Sequence, residues 1–379
     1  MTGRGDIPAP QIPALTSLRF VAALMVMFGH SLGLFYSGFS EGVYVPLVGF
    51  ANMGMSLFFT LSGFVIAYNY GSLGSLKTDD LKRFAVARLA RIYPLYLAVL
   101  ALNVAIWGAG LVTPAGLIAH LSLTQAWFFH PVNGIALISQ FRNAVVAWSI
   151  SAEWFCYLLF PAICLALDRV SRPLLAIVLI WLGILGGMYW IHLARPEGGL
   201  FIEWLGYYSP YGRIAEFAIG CVLCRLVVSL PASNTTERNV AAPIIVILAL
   251  AWLTVADEWF AQPGGLLSTF RWCGGYTPGV VALIFCCFRY GGSWLDNRWF
   301  GAAGDASYSF YLIHPIVLVG FMKLMPAPTT NGPLATATIA AAMSLNLAIS
   351  LLIYRAFERP TRNLVRQAFG VRRVSPASS

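Results

Sequence analysis

Charged side chains are scarce in this chain of 379 residues: Asp, Glu, Lys and Arg together make up 10%. Hydrophobic residues make up 59%, and the mean hydropathy is +0.74. Soluble globular domains carry about 25% charged residues, so this composition excludes that class. Charge runs, low-complexity tracts and long linkers are also missing, and we expect no appended soluble domain. The chain is therefore predicted to be an all-α, polytopic integral membrane helical bundle.

The N-terminal residues lack the features of a removable signal peptide. They contain three prolines but no basic stretch followed by an A-x-A-like cleavage site. We therefore expect the first apolar segment to act as the insertion signal. Residues 1–14 are predicted to form a cytoplasmic tail, residues 15–360 the membrane domain, and residues 361–379 a basic cytoplasmic tail.

Ten apolar segments are long enough to span a bilayer. They lie at residues 15–36, 49–70, 92–110, 145–167, 174–193, 211–230, 240–257, 273–290, 305–325 and 334–354. An eleventh, weaker segment at residues 114–129 contains His120 and Gln125. With ten spans and a cytoplasmic N-terminus, 19 Lys and Arg residues lie inside and five lie outside, as the positive-inside rule requires. We therefore expect a bacterial inner membrane protein with both termini cytoplasmic and a re-entrant weak segment.

The net charge of +9 and the seven cysteines suggest neither nucleic-acid nor metal binding. The basic residues are dispersed over inner loops, which favours contact with anionic lipid headgroups. Cys221 and Cys224 have the C-x-x-C spacing, but they lie in an apolar segment without a second pair or a nearby histidine. We expect no metal site, no redox site and no nucleic-acid partner.

Arg19 and His30 interrupt the first apolar segment. Their separation of eleven residues makes about three turns plus 20°, with a rise of roughly 16 Å, so both side chains lie on one helix face. A guanidinium near the start of the helix and a titratable imidazole deep inside it suggest a channel that holds a long anionic substrate by its charged end. His30 is the candidate base, because its reference pKa lies near neutrality.

Arg88 and Arg91 lie three residues apart before the third segment. Two arginines one turn apart form a good clamp for phosphates, because each guanidinium can donate two hydrogen bonds. The positive-inside rule explains the same residues without a ligand. Spacing alone leaves both interpretations open.

Buried carboxylates mark two other segments. Ser149 and Glu153 lie four residues apart, and Glu153 either is neutralised by an arginine that locks two helices or orients a histidine or a substrate hydroxyl. Arg213 and Glu216 have the spacing of an i, i+3 ion pair. That pair is either structural or, together with Glu153, part of an outward-facing polar vestibule.

Ser307, Tyr311 and His314 step by four and then three residues, so they share one stripe of the ninth segment. A lone histidine before a proline often bonds a carbonyl that the proline has freed, which is a structural role. The whole stripe of hydroxyl, phenol and imidazole instead predicts a substrate-binding surface.

Six of these sequence blocks, in this order, resemble the membrane-bound acyltransferase family 3. The blocks are LRFVAALMVMFGH, GMSLFFTLSGFVI, RLARIYPLYL, WSISAEWFCY, YGRIAEFAIG and SYSFYLIHP. The family includes bacterial O-antigen and exopolysaccharide O-acetyltransferases and macrolide acyltransferases. The resemblance runs from about residue 15 to residue 360, nearly the whole chain.

The resemblance implies an enzyme that moves an acyl group from cytoplasmic acyl-CoA to a hydroxyl of a glycan or glycolipid-type acceptor on the extracytoplasmic side. It implies that His30 is the essential base, that Arg19 is its companion along the donor channel, and that Arg88 and Arg91 hold the CoA phosphates. Acetyl-CoA is the expected co-substrate by family frequency, and no cofactor is expected to be bound permanently. Some relatives carry a fused extracytoplasmic esterase-like domain; we expect none here, so transfer is expected to be either direct or through a separate partner.

Other functions and other roles stay open on the sequence alone. A proton-coupled secondary transporter or a lipid-linked glycan flippase also has intramembrane Glu, Arg and His, although no internal repeat supports it. A structural membrane protein needs fewer buried titratable groups. Within an enzyme, Glu153 or Glu216 is a candidate for fixing the tautomer of His30, and a covalent acyl-histidine is the less favoured mechanism.

Overall fold

A computed structural model describes residues 12–38, 41–71, 77–108, 112–130, 145–195, 198–260, 266–291, 295–325 and 328–371. Within these ranges the backbone forms α-helices and no β-strand, apart from an isolated bridge between Tyr36 and Thr329. The helices are α1 (Pro13–Phe35), α2 (Glu41–Tyr70), α3 (Thr78–Trp107), α4 (Pro114–Leu121), α5 (Trp148–Leu167), α6 (Pro173–Ala194), α7 (Gly199–Glu203), α8 (Pro210–Ser229), α9 (Ala242–Phe260), α10 (Thr277–Tyr290), α11 (Arg298–Asp305), α12 (Ser307–Leu324), α13 (Gly332–Ile353) and α14 (Arg359–Ala368).

The prediction of an all-α membrane bundle is confirmed. Eight of the described helices are long and apolar enough to cross a membrane: α1, α2, α3, α5, α6, α9, α12 and α13. The other two of the ten predicted segments are helices α8 and α10. Helix α10 has only 14 residues, about 21 Å, and α8 contains Arg213, Glu216 and Arg225 among its 20 residues. Neither helix is long and apolar enough to span a bilayer alone, so the placement of both in the bundle depends on packing against neighbouring helices.

The structure changes the predicted start of the third segment and shows how much of the weak segment at 114–129 is helical. Helix α3 begins at Thr78 rather than near residue 92, and the acidic residues Asp79 and Asp80 in its first turn favour that start. Arg88 and Arg91 therefore lie about 15 and 20 Å along the helix instead of at its mouth. The weak segment at 114–129 forms only the eight-residue α4, about 12 Å long, so it does not span.

Helices α1, α2, α8 and α12 form the centre of the bundle, and α6, α9 and α13 lie around it. The apolar stretch of α2 is almost wholly buried, whereas α6 and α9 leave large side chains such as Leu179 and Ile247 exposed. An exposed apolar surface of this kind suits contact with lipid. The polar side chains are concentrated on the central helices instead.

Helices α2 and α8 cross closely through two glycines. A Cβ atom at Gly63 would collide with the backbone carbonyl of Phe217, and one at Gly220 would collide with the carbonyl of Thr60. Small residues at a crossing let two membrane helices approach until their backbones touch. This crossing fixes the position of the buried polar residues on both helices.

Helices α1 and α12 pack together and run parallel. Gly304, just before α12, lies against the carbonyl of Thr16 near the start of α1. At the other end, Tyr36 after α1 pairs with Thr329 after α12. The two helices therefore begin at one end of the bundle and finish at the other, and their polar stripes lie side by side.

Candidate active site

His30 on α1 and His314 on α12 form a hydrogen-bonded pair. Nδ1 of His30 lies 2.9 Å from Nε2 of His314, and the two rings stack with centroids 5.2 Å apart. His314 is fully buried, whereas His30 keeps part of its surface accessible. The sequence analysis gave these residues separate roles, because 284 positions lie between them and only the packing of α1 on α12 joins them.

The orientation of His314 follows from Pro315. A proline has no backbone N–H, so the carbonyl of Tyr311, four residues earlier, loses its partner in the helix. Nδ1 of His314 lies 2.6 Å from that carbonyl oxygen, as the sequence suggested. A carbonyl oxygen only accepts hydrogen bonds, so Nδ1 of His314 carries the proton and Nε2 is left as an acceptor.

The same reasoning fixes the tautomer of His30. Nε2 of His314 accepts, so Nδ1 of His30 donates across the 2.9 Å contact. Nε2 of a neutral His30 then has no proton and presents its lone pair. The hydrogen bonds thus leave Nε2 of His30 as an unprotonated acceptor, held in place by a chain that ends on a backbone carbonyl.

Five of the predicted site residues meet around a narrow cavity between α1, α2, α3, α5 and α12. Its volume is about 20 Å³, which is room for one water molecule. The residues of the sequence prediction that line it are Arg19, Arg88, Arg91, Glu153 and Ser307. A longer substrate arm enters only if the helices move apart.

Glu153 belongs to this cavity and not to an outward vestibule with Arg213 and Glu216. Its Oε1 atom accepts hydrogen bonds from Ser62 at 2.8 Å and from Tyr157, which lies one turn later on α5. Glu153 therefore lies with the arginines of α3, because that helix begins at Thr78 and carries Arg88 and Arg91 to the level of the Glu153 side chain. Glu153 makes no contact with His30 that would orient the ring.

Within the described ranges, the three arginines of the cavity form no close ion pair. Among the described residues the ion pairs within 4.0 Å are Arg213–Glu216, Arg225–Asp168 and Arg289–Glu237. Arg88 instead donates to the hydroxyl of Tyr70 at 3.3 Å and lies over the ring of Tyr157. Three arginines around a cavity whose described lining has a single carboxylate, Glu153, carry excess positive charge that is suited to an anionic ligand.

Arg213 and Glu216 form the predicted i, i+3 ion pair at 2.8 Å, with both side chains fully buried. Glu216 also accepts from the hydroxyl of Ser56 at 2.8 Å and from the backbone N–H of Gly274 at 3.3 Å. Arg213 donates to the backbone carbonyl of Tyr207 at 3.0 Å. The pair thus ties α8 to α2 and to the segment before α10.

Three aromatic rings explain why this pair is not part of an open vestibule. The guanidinium of Arg213 lies 4.9 Å from the ring centroid of Tyr207, 5.5 Å from that of Phe59 and 5.7 Å from that of Trp148. These rings cover the charge from the sides that the ion pair leaves open. The pair therefore supports the packing of the bundle.

Ser149 and Tyr311 meet next to the histidine pair. The hydroxyl of Ser149 lies 2.9 Å from that of Tyr311, and both lie within 3.1 Å of the carbonyl of Val146. Both residues are buried. Tyr311 therefore links the start of α5 to the backbone turn that holds His314.

The acyltransferase domain of acyltransferase family 3 matches residues 12–355 of this chain. The chain belongs to the acyltransferase 3 family. Acyltransferase MdmB of Streptomyces mycarofaciens is 29% identical over 234 residues, 56% of this chain and 57% of that protein. Protein 2 in picA locus of Rhizobium radiobacter is 35% identical over 111 residues, 28% of this chain and 53% of that protein. The chain spans about half the length of these two relatives, and no solved structure matches it at a significant level.

The acyltransferase 3 domain includes every site residue predicted from the sequence, from Arg19 to His314. It ends before α14, which begins at Arg359. The family match therefore does not include α14. A role of α14 in the site is inferred from the structure of this protein alone.

The sequence analysis missed several residues that complete the site of this family member. Tyr157 follows Glu153 by four residues, so its place on the same helix face was readable. Ser62 and Tyr308 gave no signal, because single hydroxyls in apolar segments are common. Glu358, which accepts from Ser309 at 2.6 Å, lies just after the last predicted span and had no partner predicted from the sequence.

Proposed function

We propose that this protein transfers an acyl group from acyl-CoA to a hydroxyl group of an acceptor. The observation that carries the proposal is the free Nε2 of His30, held by His314 on the helix face that leads to Arg19. Family membership supports acyl transfer as the reaction. The donor, the acceptor and the residue roles are inferred from the chemistry of the side chains.

The arginines around the cavity suit the charged end of acyl-CoA. Arg19, Arg88 and Arg91 line one space and lack ion pairs, so their donors are available to phosphate oxygens. Helix α1 rises roughly 16 Å from Arg19 to His30, which gives the thin arm of CoA a path towards the base. The small volume of the cavity implies that donor binding separates the helices around it.

In the proposed reaction, the acceptor hydroxyl gives its proton to Nε2 of His30 while its oxygen attacks the thioester carbonyl. The new C–O bond forms, the C–S bond breaks, and the CoA thiolate leaves and takes up the proton to become a thiol. His314 stabilises the imidazolium of His30 by accepting the Nδ1–H bond. This direct transfer needs no covalent acyl-histidine.

The acceptor is proposed to approach along the wall formed by Ser149 and Tyr311, beside the histidine pair. Ser307 and Glu153 belong to the donor side. By family frequency the acyl group is acetyl, and the acceptor is a glycan or glycolipid-type hydroxyl on the extracytoplasmic side. The protein is proposed to lie in a bacterial inner membrane with both termini cytoplasmic, as the charge distribution favours.

The proposal is tested by measuring CoA release from acetyl-CoA by the purified protein in lipid nanodiscs, with a membrane glycan extract as acceptor. We expect acceptor-dependent release that His30→Ala abolishes. Mass spectrometry of surface glycans from a deletion strain and its parent would identify the acyl group. Absence of thioester cleavage with any acyl-CoA, together with uptake of labelled glycan lipid by proteoliposomes, would instead support the transporter or flippase alternative.

A further inference from the structure

Helix α14 places two arginines against the arginines of α3. It follows α13 through a continuous bent helix and packs on α3. Arg362 and Arg366 lie one turn apart and are partly buried, and Arg88, Arg91 and the Tyr70 phenol lie near the guanidinium of Arg366. The cluster of Arg88, Arg91, Arg362 and Arg366 thus extends the charge of the cavity towards the end of the bundle where α3 begins.

The cluster has more positive charge than its surroundings neutralise. None of its four members has a carboxylate within 4.0 Å in the part of the chain that the structure describes. The Nε atoms of Arg88, Arg362 and Arg366 are buried and have no hydrogen-bond partner. Glu358 lies near the cluster, but one of its oxygens accepts from Ser309 at 2.6 Å and the other is unpartnered.

The positive-inside rule does not account for this arrangement. It requires basic residues at the cytoplasmic surface, and Arg355 and Arg359 meet that need on the exposed side of the same helix. Arg362 and Arg366 are instead partly buried beside two like charges, which costs free energy unless an anion joins them. Phosphate is the anion whose geometry matches paired guanidinium groups best.

We infer that Arg362 and Arg366 bind the 3′-phosphate of the CoA donor, while Arg88 and Arg91 hold its diphosphate. This inference rests on the proposed function. The arm of CoA must run inward to His30, so its diphosphate lies nearer the cavity and its 3′-phosphate, on the adenosine end, lies farther out. The α14 pair is the outer pair of the cluster, because the cavity is lined by Arg88 and Arg91 and not by residues of α14.

The inference predicts how two ligands differ in affinity. Dephospho-CoA lacks the 3′-phosphate and is otherwise identical to CoA, so their dissociation constants isolate that group. The parent protein, in nanodiscs of neutral phosphatidylcholine, should bind CoA at least tenfold more tightly than dephospho-CoA. The Arg362→Gln/Arg366→Gln variant should bind both ligands with the affinity that the parent has for dephospho-CoA.

Arg355→Gln/Arg359→Gln is the matched control, because it removes the same charge from the exposed side of the same region. It should keep the parental preference for CoA. If the inward double variant does not fold, as judged by size-exclusion chromatography, the single variant Arg366→Gln should still lose part of the preference. An inward variant that keeps the full preference overturns the inference.

An anionic lipid headgroup offers the same phosphate chemistry. If phosphatidylglycerol copurifies with the parent and is lost from the Arg362→Gln/Arg366→Gln variant while the CoA preference persists, the cluster binds lipid and the inference is wrong. A parent that binds neither CoA nor dephospho-CoA contradicts the proposed donor itself. The two failures are therefore distinguishable.

Discussion

The base character of His30 depends on residues that belong to another helix. Pro315 frees the carbonyl of Tyr311, that carbonyl takes the Nδ1 proton of His314, and the bare Nε2 of His314 takes the Nδ1 proton of His30. In the proposed reaction His314 is thus a positioning residue, a role for which the sequence suggested Glu153 or Glu216. Both carboxylates bond hydroxyls elsewhere in the bundle.

Replacing His314 by Gln should lower kcat by about tenfold to a hundredfold, less than the 10²–10⁴-fold effect of removing a general base itself. A glutamine side chain can accept from His30 but cannot relay its orientation from the Tyr311 carbonyl in the same way. The KM for the donor should stay at the parental value, because the arginines are untouched. Complete loss of activity in His314→Gln, with His30→Ala still active, would reverse the two roles.

Changing both Arg88 and Arg91 to Gln should raise the donor KM by tenfold or more, since a lost charge-assisted hydrogen bond costs roughly 1.5 to 3 kcal/mol. The acceptor KM should barely change. Steady-state kinetics with each substrate varied in turn separates the two effects. An unchanged donor KM would show that these arginines do not bind the donor and that the positive-inside rule alone explains them.

At the level of helices, the crossing of α2 and α8 is the contact that leaves least space. Gly63 and Gly220 bring the two backbones together, and the ion pair of Arg213 with Glu216 sits one turn away, bonded to Ser56 on α2. This packing explains how α8 lies in a membrane bundle although it carries charges. Its buried ion pair is bonded to protein groups on α2 and before α10.

Gly220→Val should destabilise the protein by about 1–3 kcal/mol or more, because the added atoms meet the backbone of α2 and cannot be accommodated without moving it. Gly186→Val is the control, since nothing lies within 4 Å of a Cβ at that exposed position of α6. Thermal unfolding of both variants in detergent measures the difference. Equal melting temperatures would show that the crossing is not tight.

Apolar runs were sufficient to predict the helices, because a bilayer imposes both their length and their hydrophobicity. They did not predict the start of α3, since residues 78–91 contain six charged side chains and extend the helix beyond its apolar part. The position of Glu153 beside Arg88 and Arg91 was not predicted for the same reason. The His30–His314 hydrogen bond could not be predicted from the sequence, because it depends on two helices that are distant in sequence and packed in parallel.

At the level of the whole molecule, the proposed path runs from the arginines of α3 and α14 to His30 and on to Tyr311 and Ser149. The parallel helices α1 and α12 form its length, and their ends meet at Tyr36 and Thr329 on the far side from the arginines. Donor and acceptor therefore reach His30 from opposite sides of the membrane in the proposed reaction.

The direction of this path predicts a labelling pattern. Single cysteines are introduced into a cysteine-free background at Thr78, where α3 begins, and at Pro328, between α12 and α13. Their reactivity towards an impermeant maleimide should differ. An impermeant maleimide added to intact cells should react at Pro328 and not at Thr78. The reverse pattern would contradict cytoplasmic termini and the proposed sidedness.

Sided membrane vesicles test the transfer itself. Acetyl-CoA does not cross a bilayer, so radiolabelled acetyl-CoA added to inside-out vesicles reaches the arginines, whereas the same donor added to right-side-out vesicles does not. We expect labelled acceptor only in inside-out vesicles, and none when His30→Ala replaces the parent at equal protein level. Equal labelling in both orientations, or labelling that survives His30→Ala, would contradict a path from cytoplasmic CoA through the arginines to His30.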